Sequence, residues 1–161
     1  MNLLVLCPAW LAWTLALVLI AAAAEDAIRM RVSNILSLGV FGLALVAIAL
    51  AGLDLRLWQN AVVFLALLMG GTLLFSTGKF GGGDVKLLAA MGLWVNFRDA
   101  FALLISVSLA GGLLALLIIS ARMVASEAAA KRVMVLRAGA GIPYGVAICV
   151  GALITMAILR R

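Results

Sequence analysis

Apolar runs of about twenty residues recur along this chain, and short segments between them hold nearly all of its charge. That length matches the hydrocarbon core of a bilayer crossed by an α-helix. The repetition constrains the fold more than any single motif, because backbone groups in lipid must be satisfied within the segment itself. Of 161 residues, 68% are hydrophobic, where a soluble domain is nearer half. A core of this size cannot hide that excess. The expected class is an all-α polytopic membrane protein, a single transmembrane unit over residues 1–161 with the lipid bilayer as its solvent.

Six spans are expected, at about Leu3–Ala24, Asn34–Leu53, Leu57–Phe75, Asp84–Phe97, Ala100–Ala121 and Gly141–Leu159. Ala22-Ala23-Ala24 resembles a signal cleavage site, but Met1-Asn2-Leu3 offers no basic start, so the first span is expected to be retained. The polar stretch from Arg122 to Ala140 is expected to form an interfacial segment. With the N-terminus outside, Arg29, Arg31, Lys79, Lys86, Arg122, Lys131, Arg132 and Arg137 fall inside, and only Arg56, Arg98, Arg160 and Arg161 fall outside. Basic residues favour the cytoplasmic side, so N-out and C-out is the expected orientation. The net charge of +6 then serves topology and headgroup contact. No basic patch interleaved with aromatics points to nucleic acid.

Histidine is absent, which excludes serine–histidine and cysteine–histidine catalysis and the HExxH zinc site. Cys7 and Cys149 stand alone in apolar runs and read as packing residues. Neither a metal nor a cofactor is expected. Ser76-Thr77-Gly78-Lys79 fits a serine–lysine nucleophile pattern without its other elements. Gly70-Gly71, Gly111-Gly112 and the Gly39/Gly42 pair suit close helix packing. Trp10, Trp13, Trp58 and Trp94 suit lipid-facing or interfacial positions.

Chemistry must then rest on Asp, Glu, Ser, Thr, Lys or Tyr, and the acids number only six. Topology puts Glu25, Asp26, Asp84 and Glu127 on the inner side, and Asp54 and Asp99 a membrane thickness away. Asp26 closes the first span and Asp84 opens the fourth. Each has a simpler alternative: Asp26 as a solvated residue paired to Arg29, Asp84 as a helix N-cap. The fourth span adds weight to Asp84, since Asp84–Phe97 covers only about 21 Å as a helix. Gly81-Gly82-Gly83 is therefore expected as non-helical backbone dipping into the membrane along a wet cavity. Two carboxyls facing one water form an aspartic protease site. Like charges at close range resist joint ionisation, so one acid and one base share the work.

Gly81-Gly82-Gly83-Asp84 matches the GxGD signature of intramembrane aspartic proteases, and Val85-Lys86-Leu87 continues it as in the type IV prepilin peptidases. Asp26 through Asn34 resembles that family's first-aspartate loop, and Ile142-Pro143-Tyr144-Gly145 resembles its Pro-Tyr-Gly element. Val32-Ser33-Asn34 departs from the family's Ile-Pro-Asn by lacking the proline. The resemblance implies catalysis by Asp26 and Asp84, supported by Gly81, Gly83, Lys86, Asn34, Pro143, Tyr144 and Gly145. It implies a prepilin or pseudopilin substrate, whose short basic leader is cut at the cytoplasmic face of a bacterial or archaeal inner membrane. Longer members carry a cytoplasmic insertion with paired CxxC motifs and methyltransferase activity. This chain resembles the short form used for tight-adherence (Flp-type) pilins, so methylation is not implied. Glu25 or Glu127 is a candidate attractor of the basic leader. A proton-coupled carrier using Asp84, and a non-catalytic assembly subunit, are the competing expectations.

Overall fold

The computed structural model describes residues 1–78, 81–124, 135, 137 and 141–160, and the described residues form helices without a strand. The helices are α1 (Leu3–Leu6), α2 (Ala9–Arg29), α3 (Asn34–Ala51), α4 (Leu57–Ser76), α5 (Gly82–Gly92), α6 (Phe97–Val124) and α7 (Tyr144–Leu159). Among the described residues, α2, α3, α4 and α6 are long and apolar enough to cross a membrane, and α7 is a shorter apolar helix. The all-helical class follows the sequence. The expected spans shift where the backbone obeys local rules that hydropathy does not report.

The first expected span is broken. Pro8 has no N–H to continue a helix, and the residue before a proline is pushed to extended backbone. Cys7 adopts that conformation (φ −70°, ψ 145°), so α1 ends and α2 starts afresh at Ala9. α2 then runs past Ala24 to Arg29 and stops at Met30, whose φ of 54° is left-handed and whose N–H bonds the Asp26 carbonyl at 2.8 Å. At the other junction, Asn96 accepts the Asp99 amide at 2.9 Å, an N-cap contact. It starts α6 at Phe97, inside what the sequence suggested was the fourth span. The region between Arg122 and Ala140 lies largely outside the described residues.

α5 is the centre of the bundle. At 11 residues it spans only about 16 Å, and it is buried nearly all round, packing against α3, α4 and α7. A helix apolar on every face belongs inside a fold. Its C-terminal end turns through Leu93, Trp94 and Val95. Trp94 is fully buried, donates its indole N–H to the Val40 carbonyl at 3.2 Å, and offers its own carbonyl to Leu3 at 2.9 Å. Trp94 is thus a core residue and not the membrane anchor its type suggested. Trp10, Trp13 and Trp58 are exposed. Cys7 and Cys149 are buried, as expected of packing residues.

The expected close glycine packing holds at Gly71, while a Cβ on Gly39 or Gly111 would make only ordinary contacts, at 3.6 Å to Val18 and 3.5 Å to Ala147. A Cβ on Gly71 would lie 2.6 Å from Val85, whereas Gly70, Gly42 and Gly112 face open space. On α2 the buried stripe Leu11, Leu15, Leu19, Ala22 continues at helical spacing into Asp26. The core face of α2 therefore delivers a carboxyl to the interior at its last turn.

Candidate functional site

Asp26 is 3% exposed, inside α2, and it does not pair with Arg29. Arg29 pairs instead with Glu25 at 3.5 Å. The partner of Asp26 comes from the far end of the chain: the Gly145 amide donates to Asp26 Oδ2 at 2.7 Å. Gly145 is in the first turn of α7, where backbone N–H groups have no partner within the helix and the dipole favours an anion. The Val146 amide acts on the same carboxyl. Asp26 thus closes the N-terminus of α7.

Asp84 is 8% exposed and sits in the first turn of α5. It is not the N-cap; Gly81 is. The carboxyl turns back over Gly81, where a Cβ would stand 2.6 Å from Asp84 Oδ2. Gly82 and Gly83 are helical, which corrects the expectation of a non-helical dip across all three glycines. At Gly83 the reason for glycine is contact: a Cβ there would meet the Val32 carbonyl oxygen at 2.5 Å. The glycines let the start of α5 close upon the loop after α2.

The two carboxyls are both brought to this packing. They are near enough to interact electrostatically, and the Gly145 amide acts on Asp84 as well as bonding Asp26. Asp84 Oδ1 is buried without a hydrogen-bond partner among the described residues. Such an oxygen is costly to leave unpaired.

The other candidates divide. Lys86 donates from Nζ to Asn34 Oδ1 at 2.8 Å, tying the start of α5 to the start of α3. Pro143 is buried and precedes α7 as its N-cap, and Tyr144 is the half-buried first residue of that helix. Glu25 accepts the Ser33 amide at 3.0 Å, so it is engaged in shaping the first loop. Glu127 and Lys79 lie outside the described residues. The Ser76 hydroxyl donates to the Leu73 carbonyl at 2.7 Å, within its own helix. Asp54 and Asp99 line a separate cavity with Met1 and Asn2, where Asp99 accepts from Asn2 at 2.6 Å.

Val32 is the residue that sequence reasoning passed over. It is buried, its carbonyl abuts Gly83, and its side chain would lie 2.8 Å from a Cβ on Gly145. It wedges α5 and α7 against the first loop. Its place beside Asn34, in the triplet that departs from Ile-Pro-Asn, was the available signal.

A family model described as the type IV leader peptidase family matches residues 13–116. The match takes in Asp26, Asn34, Gly81–Asp84 and Lys86, while Pro143–Gly145 lie beyond it. Comparison with curated proteins and with solved structures gives no match. Since the matched region covers well over half of its length, the chain belongs to the type IV leader peptidase family.

Proposed function

We propose that this protein is an intramembrane aspartic endopeptidase that removes the leader from a type IV prepilin or pseudopilin of the Flp class. The observation that carries the reading is the burial of two carboxyls, Asp26 and Asp84, near enough to interact, with Asp26 held by the Gly145 amide at 2.7 Å. Membership of a leader peptidase family supplies the reaction class. Asp26 and Asp84 are the proposed catalytic pair, and Gly81, Gly83, Val32 and Gly145 hold them in place.

The mechanism follows from the chemistry of the pair. One carboxylate takes a proton from a water held between the acids, and the water oxygen attacks the scissile carbonyl. The other acid gives its proton to the developing oxyanion. Collapse of the tetrahedral intermediate breaks the C–N bond, and a carboxyl proton passes to the leaving amine. The products are a leader ending in a carboxylate and a shortened pilin with a free amine. The pair titrates as one unit, so the roles of acid and base belong to both. The Gly145 amide orients Asp26 throughout, and the unpaired Asp84 Oδ1 is the position for water. The excess of Lys and Arg in the flanking loops supports a cytoplasmic location for this end of the bundle.

Asp26→Asn and Asp84→Asn each keep the side-chain shape and remove the acid. Each should lower leader cleavage at least ~10²-fold, in the range typical of a lost acid–base group, with folding retained in detergent. Co-expression with a prepilin, scored by the mass of the processed pilin, makes the test. Normal processing by both single variants would refute the assignment.

A further inference from the structure

Starting at Lys86, two residues from Asp84, an open groove of about 380 Å³ runs between α3 and α4 with α5 as its floor. α3 contributes Ser37, Leu38 and Phe41, α4 contributes Phe64 and Leu68, and Ala90 of α5 keeps the floor low. The Phe41 and Phe64 rings meet at 5.6 Å at one end. At the other end stand Asn34 and Lys86, joined at 2.8 Å, with Lys86 two residues from Asp84. From Lys86 to Ala90 the floor runs about 6 Å along the helix axis. The groove therefore begins within two residues of Asp84 and follows α5 toward its C-terminal end.

We propose that this groove holds the apolar segment of the substrate directly after the scissile bond, which rests on the peptidase reading above. Two observations select this occupant over the leader and over a lipid chain. Lys86 stands exposed at the mouth, so a basic leader is repelled there while an apolar segment is not. Ser37 is 5% exposed, and its hydroxyl has no partner among the described residues. An acyl chain offers a hydroxyl nothing. A peptide drawn out straight for cleavage carries carbonyl and amide groups that are unsatisfied in an apolar setting. Ser37 is placed to bond one of them. The groove thus serves as a specificity site that accepts apolar side chains and one backbone group.

Purified protein in lipid nanodiscs tests this with two substrates: one with its full apolar segment, and a short peptide ending just past the scissile bond. Leu38→Trp and Leu68→Trp fill the groove from its partly exposed rim, and Leu73→Trp on another face of α4 is the control. The expected result is a KM for the full substrate raised roughly five- to tenfold, with kcat within about twofold and the short peptide unaffected. Ser37→Ala should raise the same KM about threefold. An unchanged KM in both tryptophan variants, or equal weakening of the short peptide, overturns the groove assignment while leaving the peptidase reading intact. Absence of cleavage by the unaltered protein removes both. A photoreactive residue at position 38 that crosslinks lipid and never substrate also overturns the assignment.

Discussion

Gly145→Ala adds one methyl group at the point where α7 meets both the first loop and Asp26. The new Cβ would lie 2.8 Å from Val32 Cγ2, 2.9 Å from Asp26 Oδ2 and 3.0 Å from Asp26 Cβ. Neither neighbour is the free end of a long side chain, so something must move. If α7 backs away, the cost is that of overpacking, roughly 1–3 kcal/mol. If Asp26 swings aside instead, it loses the 2.7 Å bond from Gly145, a loss of roughly 1–3 kcal/mol depending on its charge. The two are alternatives, so they are not added, and a stability loss of about 1–3 kcal/mol is expected. The rate should suffer more. Displacing a reacting group by about 1 Å can cost ~10²-fold. The assay pairs leader cleavage with thermal unfolding in the same detergent. Gly112→Ala is the control, because a Cβ there meets open space and alanine favours the helix. It should retain full activity and equal or higher stability. A folded Gly145→Ala protein that cleaves within twofold of wild type would refute the claim that this contact positions Asp26.

Three further outcomes follow from buried contacts. Trp94→Phe keeps one aromatic ring but loses the pyrrole half of the indole and its N–H to the Val40 carbonyl, so by denaturant unfolding it should cost more than the ~1 kcal/mol of a lost hydrogen bond and less than the ~3–5 kcal/mol of Trp94→Ala. Asn60→Leu removes the donor to the carbonyls of Met1 and Leu93, at 2.9 and 2.8 Å, and should cost roughly 1–3 kcal/mol in the same measurement. Ser33→Pro restores the family's proline at a residue whose φ of −70° already suits the ring. The gain in chain stiffness, about 0.4–1 kcal/mol, is outweighed by the lost charge-assisted bond from the Ser33 amide to Glu25, so the melting temperature should fall slightly.

Asp26 and Asp84 were readable because membrane topology sorts acids by side, and only a few acids had to be sorted. Their meeting through Gly145 was not readable from spacing, since the hydrogen bond joins residues 119 positions apart. Only the resemblance of Pro143-Tyr144-Gly145 to a family element pointed there. The span boundaries were misjudged because hydropathy measures solvent preference and not backbone continuity. The Pro8 break and the Asn96 cap were both written in the sequence as local signals. Gly82 and Gly83 were read as non-helical because the span after them is too short to cross the bilayer and glycine permits a sharp turn. Tertiary contact overrode that expectation, because the close approach to Val32 has room only for glycine. Trp94 misled for a related reason: an aromatic near the end of a span is commonly interfacial, but this one has a carbonyl partner inside.

The bond from Gly145 to Asp26 also sets an order in time. Asp26 emerges early from the ribosome, Asp84 midway, and the amide that bonds Asp26 belongs to the last helix described. On the two-carboxyl reading, a nascent chain that has already inserted α2 through α6 holds both acids and still lacks the group that orients them. Proteolytic competence then arrives as a single late event, when α7 docks. On that reading, a growing chain cannot cleave the membrane proteins being made beside it until its last helix has docked.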